Sequence, residues 1–340
     1  MTDATTRDGV PSAERADQGQ VGVVVMAYGT PASSADVEPY YTHIRRGRPP
    51  TPEQLDNLRR RYDALGGTST LAARTQDQID RLTAALEKRA PGRFRVALGQ
   101  KHAAPFIEDG VAALAASGVS HIVGLVLAPH YSGFSVGQYH QRASEAAAAA
   151  GIGFTGIERW HDEPAYRDFL GTAVRDALTG LPEKTKVYFT AHSLPERVLA
   201  GDPYPDELEA SAKAVAVDVG LDRSAAGWGM AWQSAGATPE PWRGPDILEV
   251  IRDLAASGEA DGILVCPQGF VADHLEVAYD LDIEARKVAD EVGIAFARTR
   301  VLNDDPTVLA ALAALADKVL SAESVHPWPI LHSERRGPGA

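Results

Sequence analysis

Three groups of residues have types and spacings that could do chemistry. Glu276, Asp280 and Glu284 recur every fourth residue, which on a helix sets three carboxylates in one stripe. Like charges at that spacing work mildly against helix stability. The stripe is therefore either a solvated acidic face or a row kept for what carboxylates do together, binding a divalent cation or passing protons. His192 follows directly on the apolar run 186–191 and precedes Ser193, Pro195 and Glu196. An imidazole there can be a satisfied structural residue, a base near neutral pH, or a ligand for Fe2+ or Zn2+. The third group is basic. Arg45, Arg46, Arg48, Arg59, Arg60 and Arg61 fall within residues 45–62, against only Glu53 and Asp56, with Tyr40, Tyr41 and Tyr62 interleaved. This island is either an ordinary basic helix face or a site that grips carboxylates or phosphates through charge-assisted hydrogen bonds. His102 and His130 hold comparable strand-end places and read as structural or supporting residues.

The elements that must position these groups follow an α/β rhythm. Short β-rich runs at 21–27, 94–99, 121–128, 186–191, 227–232 and 262–267 alternate with helical patterns at 76–90, 138–150, 246–256 and 277–292. A last helix starts with Asp305 as N-cap and Pro306 in its first turn, and carries Val308, Leu309, Leu312, Leu315 and Val319 on one side. The expected fold is two Rossmann-like α/β lobes with parallel sheets, three strands in each, and a cleft between them. Every strand runs into a polar segment: AYGT, GQKH and LAPHYS in the first half, TAHS, WQSAG and CPQGFVADH in the second. Ligands of open α/β sheets bind at the carboxyl ends of strands, so these six segments should ring one cleft. The expected organisation is a flexible tail over 1–20, an N-terminal lobe over 21–155 and a C-terminal lobe over 156–305. The helix 306–321 and a second tail over 322–340 follow.

Composition narrows the partners. The chain has 340 residues and a net charge of −13, which argues against nucleic acid or an anionic membrane as the main partner. Residues 1–20 lack the apolar core of a signal peptide, and the longest apolar runs are far too short to span a bilayer. One cysteine, Cys266, allows neither an internal disulfide nor an all-thiolate metal site, which fits a reducing cytoplasm. There is no P-loop, no G-x-G-x-x-G after a strand and no G-x-S-x-G elbow.

The segments VVVMAYGTP (23–31), YYTHIRRGR (40–48), RYDALGG (61–67), LAPHYSGFSVGQY (127–139) and TAHSLPERV (190–198) resemble the ferrochelatase family, in its coproporphyrin-type branch. GDPYPDEL (201–208), WQSAGATPEPWRGPD (232–246) and GFVADHLEVAYDLDIE (269–284) extend the resemblance across nearly all of residues 21–321. It implies a lyase of haem biosynthesis that inserts Fe2+ into coproporphyrin III and releases two protons. By the same resemblance His192 is the iron ligand and proton acceptor and Glu276 is the facing carboxylate. Asp280 and Glu284 continue the acidic row. Tyr28 lies on the other face of the macrocycle as an axial contact to iron, and with Arg45, Arg61, Tyr62, Ser69 and Tyr139 it holds the porphyrin. The final helix is implied to cross back to the first lobe. Fe2+ is then a substrate, no resident cofactor is required, and a lone cysteine cannot hold the [2Fe–2S] cluster of some relatives. The implied setting is a cytoplasmic monomer whose product passes to a coproheme decarboxylase. The alternatives are a protoporphyrin IX ferrochelatase, a cobalt or nickel tetrapyrrole chelatase of the same architecture, and a non-catalytic haem or porphyrin carrier.

Overall fold

A computed structural model of the chain describes residues 19–224 and 226–321. The expected tails over 1–20 and 322–340 lie, but for residues 19 and 20, outside the described residues. Eight strands form two four-stranded parallel sheets. The first has the order β2-β1-β3-β4, from β1 (Val21–Ala27), β2 (Phe94–Gln100), β3 (His121–Val126) and β4 (Gly153–Ile157). The second repeats that order as β6-β5-β7-β8, from β5 (Thr185–His192), β6 (Trp228–Gln233), β7 (Gly262–Cys266) and β8 (Ala295–Arg298). Central parallel strands are covered on both faces and read as continuous apolar runs. All of β1 and all of β7 are buried. The sequence shows three strands per half because β4 (GFTGI) and β8 (AFAR) are short edge strands, too brief and too small in side chain to stand out.

Helices pack so closely on these sheets that some positions have no room for a side chain. Gly110 is one: a Cβ there would lie 2.5 Å from the Leu98 carbonyl oxygen, where the helix Ile107–Ala116 presses on β2. The expected helix over 277–292 is broken into three. Leu275–Ala278 is α-helical, Asp280–Ala285 is a π-turn and Arg286–Val292 is α-helical again. The Glu284 N–H reaches back five residues to the Tyr279 carbonyl at 3.0 Å. A π-turn re-aims the side chains around it relative to a regular helix, here those of Asp280 and Glu284.

Two helices tie the sheets together. Pro164–Leu178 leaves β4 and packs on the helix Tyr204–Val219 and on β7. Pro306–Ser321 leaves the second sheet and returns to the first, packing on the helix Leu71–Arg89 and on β4. Asp305 starts it, accepting from the N–H groups of Thr307 and Val308 at 3.0 and 3.1 Å. Asp317 then pairs with Arg89 at 2.7 Å and Arg93 at 2.9 Å. Leu82, Leu86, Leu309 and Leu312 share one apolar cluster with Val187 and Leu264 of the second sheet, so a continuous core backs the cleft. Leu312 is fully buried. Leu312→Ala should therefore cost about 2–5 kcal/mol, read as a lower urea midpoint. An unchanged midpoint would mean that the returning helix is not part of the folding core.

Candidate active site

The carboxyl ends of both sheets open into one cleft of about 1140 Å³. Tyr28, Arg61, Tyr62, Ser69, Tyr139, His192, Glu276, Asp280 and Glu284 all line it. Arg45 does not. Its Nε donates to the Arg48 carbonyl at 3.3 Å and its guanidinium lies over Tyr41, closing the loop end. Arg46, in left-handed conformation at φ 56°, faces the cleft in its place.

One polar contact joins the end of β5 to the segment that follows β7. His192 is the last residue of β5, paired in register with Gln233 at the end of β6. Its Nδ1 donates to the Ser193 carbonyl, which leaves Nε2 for Glu276 Oε1 at 3.5 Å. Glu276 is set by backbone contacts. Gln233 Nε2 donates to its carbonyl at 2.7 Å, and its own N–H donates to Nδ1 of His274 at 3.1 Å. Thr190 Oγ1 in turn donates to Gln233 Oε1 at 2.8 Å. Both side chains of the pair are about a third exposed, opening into the cleft. Burial disfavours the charged form of each, but their mutual attraction outweighs it. The His192 pKa is pushed up to about 9 and the Glu276 pKa down to about 2. At neutral pH the ligand-free pair is thus imidazolium and carboxylate.

The acidic row is not three bare carboxylates. Arg61 contacts Asp280 directly, lies 3.8 Å from Glu284 and covers the Tyr279 ring at 4.6 Å. Asp280 also accepts from Ser234 Oγ at 2.5 Å. Its side chain is only 7% exposed. Burial, helped by the carboxylates of Glu276 and Glu284, raises its pKa to about 7 against the pull of Arg61 and Ser234. The row therefore runs from the paired Glu276 through a half-neutralised Asp280 to Glu284 at the exposed end.

The opposite wall belongs to the first sheet. Tyr28 follows β1 directly and is 43% exposed. Burial of the phenol, then the Glu276 carboxylate, keeps it protonated well past its ordinary range. His102 lies against its ring, and Lys101 sits 5.1 Å from the centre of the Tyr139 ring. Burial, then the charges of Arg142 and Arg46, lower the Lys101 pKa to about 8. Tyr62 is buried, and Ser69 Oγ accepts from the Leu71 N–H at 3.1 Å, starting the helix behind it. His130 also lines the cleft, buried and held neutral, with its ring stacked on His161.

Reasoning from sequence put WQSAG and GQKH at the cleft and Arg46 in the basic island, but it did not single out Ser234, Lys101 or Arg46 as site residues, and all three line the cleft. Ser234 and Arg46 are two of the three non-glycine residues with positive φ, strain of a kind that gathers at functional sites. In the ligand-free protein, NMR titration of His192 should show a proton lost only as pH rises through about 9. Glu276→Gln removes the largest attraction and leaves burial opposed only by the Ser193 carbonyl and Asp280, so the midpoint should fall well below 9. Because the His192 pKa is raised and the Glu276 pKa lowered, the pair's contribution to stability is complete between about 4.5 and 6.5; it is lost as pH rises through about 9 and as it falls through about 2. A wild-type midpoint near 6.5, unmoved in the variant, would contradict the pairing.

The ferrochelatase family model matches residues 20–320. The chain is 45% identical to the coproporphyrin III ferrochelatase of Geobacillus kaustophilus, over 87% of this chain and 95% of that protein. It is 43% identical to the coproporphyrin III ferrochelatase of Bacillus subtilis, over 88% of this chain and 98% of that protein. Among solved structures, SirB from Bacillus subtilis with Fe3+ shares the fold, with a TM-score of 0.55 at 11% identity, covering 88% of this chain and 95% of that one. With the family model matched over residues 20–320 and a 45% identical coproporphyrin III ferrochelatase covered almost end to end, this chain of two parallel-sheet lobes belongs to the ferrochelatase family.

Proposed function

We propose that the protein inserts Fe2+ into coproporphyrin III, giving Fe-coproporphyrin and two protons, at His192 and Glu276. The observation that carries this is the His192–Glu276 pair, facing Tyr28 across a cleft wide enough for a macrocycle. The choice of coproporphyrin III draws on the printed activities of the relatives and on the cationic wall.

A planar porphyrin hides its nitrogen lone pairs and keeps two N–H protons. Insertion therefore needs a dehydrated cation, a proton acceptor and a held macrocycle, which water organises poorly. His192 and Glu276 provide a nitrogen and a carboxylate for the cation on one face. In the resting pair the Nε2 lone pair already holds a proton, so Fe2+ and that proton compete for one site. Once His192 has passed that proton to the acidic row it can accept the two pyrrole protons in turn, and Glu276 stabilises the imidazolium each time it forms. Asp280, with a pKa near neutrality, can pass that proton along the row toward Glu284. Tyr28 presents its phenol to the other face. Tyr62, Ser69 and Tyr139 bound the macrocycle.

Coproporphyrin III carries four propionates, and the cleft wall meets them with Arg46, Arg61 and Lys101. Arg61 is shared with Asp280 and Glu284, whereas Arg46 and Lys101 face the cleft without a carboxylate partner among the described residues. Arg45 keeps its Nε on the Arg48 carbonyl and does not line the cleft. The cleft is completed by one chain, so a monomer suffices. No helix among the described residues is long and apolar enough to cross a membrane. We place the reaction in the cytoplasm, with a coproheme decarboxylase consuming the product. No resident cofactor is required: Cys266 is buried and its thiol is pushed up to about 12 by burial, unsuited to a cluster.

Anaerobic turnover with coproporphyrin III and protoporphyrin IX, side by side, tests the proposal. Coproporphyrin III should be the better substrate. Arg46→Ala and Lys101→Met should each weaken its binding by roughly 10- to 150-fold, as the ~1.5–3 kcal/mol of a hydrogen bond to a charged group implies, and added salt should act in the same direction. His192→Ala should lose about 10²–10⁴ in rate while still binding porphyrin. Porphyrin bound but left metal-free by the wild type would instead mark a carrier.

A further inference from the structure

Tyr28 is held by more than its place after β1. The β1–β2 pairing continues past both strand ends, with Lys101 N–H donating to the Ala27 carbonyl at 2.9 Å and His102 N–H to the Tyr28 carbonyl at 3.0 Å. The next residue, Gly29, has φ +92°, and a Cβ there would sit 2.9 Å from the Ala103 Cβ. Tyr40 hydroxyl donates to the Gly29 carbonyl at 3.0 Å. The backbone of Tyr28 is thus pinned on both sides, while its ring projects into the cleft with 43% exposure. One aromatic side chain backs that ring, His102, at a centroid distance of 4.6 Å and a tilt of 52°. His102 is itself fixed. Its Nδ1 shares a proton with Nδ1 of His43 at 3.0 Å, and His43 packs on Phe106 at 5.2 Å.

We infer that His102, clamped by His43, is a positioning residue that aims the Tyr28 phenol at the iron from the face opposite His192. This rests on the proposed role of Tyr28 as an axial contact. A phenol on two free torsions, exposed on one side, needs a backing ring to hold its oxygen on the macrocycle axis. Misplacement by about 1 Å is enough to cost roughly 10²-fold in a positioned reaction.

The test uses the full-length protein loaded with Fe(III)-coproporphyrin III, read by visible absorption and electron paramagnetic resonance. Tyr28→Phe gives the reference change on loss of the phenol. His102→Ala should move the iron spectrum in the same sense and lower kcat by roughly tenfold, with KM for porphyrin within about threefold. His102→Phe, which keeps a backing ring, should restore most of the wild-type spectrum. His43→Phe, which leaves His102 in place but removes its clamp, should shift the spectrum part of the way, and it carries the test if His102→Ala fails to fold. A Tyr28→Phe shift with wild-type spectra in His102→Ala and His43→Phe would overturn the inference alone. No shift in Tyr28→Phe would overturn the axial role of Tyr28 and the inference with it.

Discussion

The contact between His192 and Glu276 is the constraint on which the rest of the site depends. Each residue alone would be a half-buried charge with a reason to become neutral. Together they hold opposite charges 3.5 Å apart at the mouth of two parallel strands. His192 is fixed by the end of β5, and Glu276 by Gln233 of β6 and by His274 at the start of its helix. Removing one partner takes away what keeps the other charged, which is why the pair behaves as a unit and not as two independent groups.

The surrounding fold keeps that unit facing a large, cation-lined cleft in a strongly acidic protein. The sheets share a core through the helices Pro164–Leu178 and Pro306–Ser321, so the wall bearing Tyr28 stands in a fixed relation to the wall bearing His192. Between the walls the charges are graded. Arg61 neutralises the middle of the acidic row, and Arg46 and Lys101 add positive charge from the first half of the chain. A carboxylate-lined metal site and a tetra-anionic macrocycle make opposite electrostatic demands, and the cleft carries groups of both signs.

Much of this was legible in the sequence, for a physical reason. Buried parallel strands are continuous apolar runs, and polar residues that interrupt such runs at their carboxyl ends stand out; His192 was found that way, Glu276 by the four-residue spacing of its carboxylate row, and Tyr28 through the family resemblance. What stayed hidden was decided by geometry rather than composition. The edge strands β4 and β8 are too short to carry a pattern. The π-turn over Asp280–Ala285 depends on how one segment packs, and a period of four residues does not announce it. Arg45 and Arg46 are adjacent and identical in type, so only the left-handed backbone at Arg46 decides which guanidinium faces the cleft. His43 and His102 lie 59 residues apart and meet only once β1 and β2 are paired.

The central claim is that His192 and Glu276 act as one device, and a double-mutant cycle on anaerobic coproporphyrin III turnover tests it most directly. The rates of the wild type, His192→Ala, Glu276→Gln and the double variant would be compared at saturating porphyrin. Residues that work as a unit are grossly non-additive. The double variant should be about as slow as the slower single variant. Losses that instead multiply, leaving the double variant slower by the product of the two single effects, would show two independent contributions and contradict the account.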